Sequence, residues 1–74
     1  MTQVKFDYSM LRKRIKEVVG TETLFAEKMG LSTVSLSAKL NNNVSFKSSE
    51  IEKACQLLNI DKKDIGSYFL SVKS

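Results

Sequence analysis

Histidine, proline and tryptophan are absent from this chain, and cysteine occurs once, as Cys55. General acid-base catalysis, nucleophilic triads and metal sites draw on histidine, paired carboxylates or clustered cysteines. The eight acidic residues are scattered as helix caps and helix-surface charges. Neither an enzyme nor a metal or cofactor site is expected, and no small-molecule substrate. Three glycines leave no glycine-rich phosphate loop. A single cysteine forms no internal disulfide, which suits a reducing cytoplasm. Cys55 lies within an apolar stripe and reads as a small core hydrophobe. Apolar runs are only a few residues long, so no membrane span is expected, and the N-terminus MTQVKFDYSM lacks the apolar segment of a secretion signal. The absence of proline suits an all-helical domain with short connections.

What remains is enough for one small domain over residues 1–74, near the lower size limit for folding without disulfides or metals. Its 42% hydrophobic content is ordinary for a globular chain. Twelve basic residues against eight acidic ones give a net charge of +4. That balance is compatible with a polyanionic partner.

The most informative stretch runs from Thr21 to Asn43, TETLFAEKMGLSTVSLSAKLNNN. Thr21 is positioned to cap one helix and Ser32 to cap the next. Between them Gly30 tolerates the left-handed backbone that ends a helix sharply. Ala26 supplies only a methyl group where two helices would cross. Leu24, Phe25 and Met29 are expected to face inward from the first helix, and Leu36 and Leu40 from the second, which runs to about Leu40 or Asn41. The layout is a helix-turn-helix.

On these residues the run FAEKMGLSTVSLSAKLN resembles the phage repressor and Cro-like proteins, with Ala26, Gly30, Leu31 and Leu36 at that family's alanine, glycine and hydrophobic positions. The likeness extends more loosely from about Phe6 to about Phe69. It implies an all-α, five-helix, lambda-repressor-like bundle that binds double-stranded operator DNA. Two positions depart from the pattern. Glu22 stands where the family usually has a phosphate-holding Gln, and Lys39 stands at the usual late hydrophobic of the recognition helix.

Around the motif, Asp7 is a plausible cap for a first helix to about Val19, with the stripe Tyr8, Leu11, Ile15, Val18 and Val19. A fourth helix should begin near Ser48 and run to Leu58, burying Ile51, Ala54, Cys55, Leu57 and Leu58. Asn59 closes it, Ile60 plugs the core, and a fifth helix begins at Asp61, with Asp64 placed like a capping box. After Gly66, Tyr68, Leu70 and Val72 alternate with Phe69, Ser71 and Lys73. This predicts a short extended C-terminal tail. Either it folds back onto the chain's own core, or Tyr68, Phe69 and Leu70 pair with a second copy to make a homodimer.

If the resemblance carries its function, the helix from Thr33 to Leu40 enters the major groove, where Thr33, Val34, Ser37 and Ala38 meet base edges. Phosphate contacts would come from Ser35, Lys39, Asn41, Asn42, Asn43, Lys47 and Arg12. Arg12 belongs to a basic cluster with Lys13, Arg14 and Lys16 that reads first as a solvated helix face and second as phosphate contact by one or two of them. The base-reading helix has no Arg, Gln or Asn in its first turns, the residue types that read bases bidentately. Two functions are therefore carried forward. One is a transcriptional regulator, a Cro-like or repressor protein of a phage or prophage; the other is an antirepressor-like module that uses the same fold to bind another regulator.

Overall fold

The computed structural model describes residues 5–72. Five α-helices follow one another: α1 Ser9–Val18, α2 Glu22–Met29, α3 Thr33–Leu40, α4 Ser48–Leu58 and α5 Ile65–Phe69, the last entered through a 3-10 turn over Lys62–Asp64. Among the described residues the regular structure is all-helical apart from an isolated antiparallel bridge between Phe6 and Val72. Among the described residues no helix is long and apolar enough to cross a membrane.

Capping fixes the helix-turn-helix as local chemistry requires. The Thr21 hydroxyl accepts from the Leu24 N–H at 3.1 Å, and the Ser32 hydroxyl accepts from the Ser35 N–H at 3.0 Å. Gly30 adopts φ +74, its N–H reaching the Glu27 carbonyl while Leu31 donates to that of Ala26. This pair of bonds satisfies two carbonyls left free at the end of α2. A side chain at Gly30 would meet no neighbour within 4 Å, so the backbone conformation alone demands glycine.

The core forms where the helices converge. Leu11, Ile15, Phe25, Ala54 and Leu58 are fully buried, and α2 packs against α1, α3 and α4. Tyr8, Ala26, Met29, Leu36, Leu40, Cys55, Ile60 and Phe69 complete it. Two residues expected inside are not. Leu24 is 40% exposed: a helix that buries Phe25, Ala26 and Met29 turns position 24 about 100° further from Ala26. Val18, at the last turn of α1, is also exposed, and the half-buried Val19 packs on the core instead. Asp7 is not itself the cap residue, which is Tyr8, but its carboxylate accepts from the Ser9 N–H at 2.9 Å and serves the first turn from one position earlier.

The C-terminal stretch departs from its alternating pattern. Ile65, Tyr68 and Phe69 stand at helical spacing, and the chain stays helical to Phe69, whose ring is 2% exposed within the core of its own chain. Only beyond Leu70 does it extend, where Ser71 accepts from the Asp7 N–H at 2.7 Å beside the Phe6–Val72 bridge. The tail thus folds back on its own domain. A row of rings braces it: Tyr8 and Phe69 each meet Phe46 edge-on, with centroids 5.4 and 5.3 Å apart.

Candidate functional site

The exposed side of α3 is built by the same caps that end α2 and start α3. Burial of Leu36, Lys39 and Leu40 turns the opposite side outward, and Thr33, Val34, Ser37, Ala38, Asn41 and Asn43 line one shallow groove there. All four residues assigned to base contact fall in it, with two of the asparagines assigned to phosphate. Val34 stands 77% exposed. No side chain lining the groove is charged. Ser35 lies at its margin, exposed, with its hydroxyl 3.0 Å from that of Ser32.

The cations assigned to phosphate are arranged differently from expectation. Lys39 is only 5% exposed. Its ammonium lies 2.9 Å from the Glu50 carboxylate, donates to the Ser45 carbonyl at 3.2 Å and sits 5.9 Å from the centre of the Phe46 ring. A charge so enclosed needs a partner of opposite sign, and this one has it within the fold. It is not free to meet a phosphate. Arg12 bonds Glu22 at 2.8 Å and Asn41 at 3.3 Å, so its charge is balanced across the α1–α2 junction by the very residue that departs from the family's Gln. Arg14 is turned to the end of α4, donating to the carbonyls of Leu58 and Asn59. Lys47 remains exposed at the head of α4.

The asparagines divide by role. Asn42 takes the left-handed conformation at φ +65. Its side-chain amide accepts from the Phe6 N–H at 2.8 Å and donates to the Phe6 carbonyl at 2.9 Å, mimicking a neighbouring strand. It therefore clasps the N-terminal arm and is withdrawn from any phosphate. Asn41 donates to Ser37 on the groove side at 3.3 Å, and Asn43 is exposed beside it. Among the residues assigned to dimerisation, Phe69 is spent in the core, Tyr68 is half-buried and Leu70 is 57% exposed.

Glu50, Phe46 and the Asn42–Phe6 clasp carry this arrangement without having been singled out in the sequence. The spacing of Leu36, Lys39 and Leu40 did hold a signal, because position 39 shares the buried stripe of α3. Although burial alone would raise the Glu50 carboxyl, the Lys47 N–H, donating at 2.9 Å, and the Lys39 ammonium outweigh it and hold its pKa below the ordinary value. Burial pushes the Cys55 thiol up.

An all-helical domain whose second motif helix exposes an uncharged face is the class this geometry defines. Over residues 4–72 the chain matches the family model described as a protein of unknown function, DUF739, and it belongs to that family. It is also similar to a solved protein, the modulator of repression (MOR) of the temperate bacteriophage TP901-1 from Lactococcus lactis. The two are 45% identical, the match covers 86% of each chain, and the TM-score is 0.77. No curated protein matches the chain.

Proposed function

We propose that this chain modulates repression in a temperate phage or prophage by binding another regulatory protein, the repressor of the same genetic element, through the exposed face of α3. The observation that carries this reading is the absence of charge from the groove lined by Thr33, Val34, Ser37, Ala38, Asn41 and Asn43. DNA affinity rests largely on cations that displace counterions from phosphates. Arg12 and Lys39, two of the cations assigned to phosphate, are instead balanced by Glu22 and Glu50. The centre of a protein interface, by contrast, is depleted of charge, and Val34 stands exposed in this groove. The similarity to a modulator of repression supports the same reading.

A second reading, direct operator binding, is favoured by the two capped helices of the motif and the net charge of +4. Salt separates the two. Phosphate contacts make log K fall with log salt by about 0.9 per contact, whereas the affinity of a neutral protein surface changes little. Binding to the purified repressor that persists at high salt, with no preference for the intergenic duplex of the same element over a scrambled one, supports the protein-binding reading. Tight binding to the intergenic duplex alone supports the other.

A further inference from the structure

We propose that Lys39 and Glu50 are a positioning pair, which fixes the loop edge of the α3 face and sets affinity for the partner without touching it. The inference rests on the reading of that face as a docking surface. It starts from a sequence anomaly, a lysine in the buried stripe of α3 where an aliphatic residue would fill the space. The lysine side chain is 6% exposed and that of Glu50 15%, so the pair is largely enclosed.

Its two ends belong to different helices, and both hold the loop between them. Lys39 donates to the Ser45 carbonyl at 3.2 Å, and Glu50 accepts from the Lys47 N–H at 2.9 Å. The segment so anchored includes Asn41 and Asn43, which line the groove, and Val44 beside them. Its inner side is held by carbonyls of α3: that of Lys39 accepts from the Asn42 N–H at 3.1 Å, and that of Ala38 from the N–H groups of Asn43 at 2.8 Å and Val44 at 3.3 Å. Phe46, under the Lys39 ammonium, locks the far end of the loop between Tyr8 and Phe69.

A well-packed apolar pair in place of a buried ion pair is often no less stable. What an apolar pair cannot do is satisfy the Ser45 carbonyl and the Lys47 N–H. The ion pair therefore supplies geometry to the loop more than stability to the fold.

The test compares three variants of the 74-residue chain, Lys39→Met, Glu50→Gln and the double Lys39→Met/Glu50→Leu, by native-state hydrogen exchange. The amides of Asn43 and Val44 report the loop; those of Ile15 and Leu58, inside α1 and α4, report the core. Lys39→Met should accelerate loop exchange at least tenfold more than core exchange, and the double variant should keep that excess while its Tm returns toward the parent value. A uniform acceleration, or none, overturns the proposal. Where Lys39→Met does not fold, Glu50→Gln, which keeps an acceptor for both groups, should still show a loop excess of about threefold, and its absence overturns the proposal equally. Affinity for the purified repressor is measured in parallel. A loosened loop with unchanged affinity overturns the claim that this edge tunes docking. A loosened loop in a chain whose parent binds no repressor contradicts the docking reading and leaves the positioning of the loop standing.

Discussion

Arg12 and Glu22 join α1 to the first turn of α2 through an ion pair of 2.8 Å, about two-fifths exposed on each side. The pair closes the place where the resembling DNA-binding proteins hold a phosphate with Gln. It neutralises the cation that would otherwise extend the α3 face toward nucleic acid, and the same arginine reaches Asn41 at the end of α3.

Glu22→Gln should therefore release Arg12 and give the chain measurable affinity for duplex DNA of any sequence. The slope of log K against log salt should steepen by about 1, the value for one added phosphate contact. Stability should change by less than about 1 kcal/mol, since an exposed pair contributes little. Salt-titrated fluorescence anisotropy, with a melt of the same sample, measures both.

Phe69→Ala should cost about 3–5 kcal/mol, the range for truncating a buried aromatic ring. Leu70→Ser, one residue on and exposed, should stay within about 0.5 kcal/mol. Urea denaturation of the two variants checks the contrast. If Phe69→Ala instead left stability unchanged and altered only the sedimentation of the chain, the ring would belong to an interface between copies.

Acid should weaken the fold partly through Glu50. Its folded pKa lies below the unfolded carboxylate value of about 4.3, so its contribution is fully present above that pH and is lost as pH falls through the folded pKa. The urea midpoint of the parent chain should drop between about pH 5 and pH 3 more steeply than that of Glu50→Gln. Parallel curves would remove Glu50 from the account.

The sequence made legible what neighbouring residues decide. Thr21, Gly30 and Ser32 act on N–H and carbonyl groups within four positions of themselves, and the structure has them capping and turning the chain as their chemistry dictates. What it hid depends on partners far along the chain. Asn42 pairs with Phe6, 36 residues away, and Lys39 finds its counter-charge only in the next helix. The sequence leaves Phe69 open because Tyr68, Leu70 and Val72 alternate while Ile65, Tyr68 and Phe69 also lie at helical spacing. Over so short a segment both periods fit, and burial against Phe46 decides between them.

The central claim is that the uncharged face of α3 binds a regulatory protein. Its most direct test is a fluorescence-anisotropy titration of the labelled chain with the purified repressor of the same genetic element and, separately, with the intergenic duplex, for the parent and for Val34→Glu. The account predicts salt-tolerant binding to the repressor, abolished by Val34→Glu with circular dichroism unchanged, and no preference for the native duplex. Salt-sensitive, sequence-selective binding to the duplex with none to the repressor would contradict it.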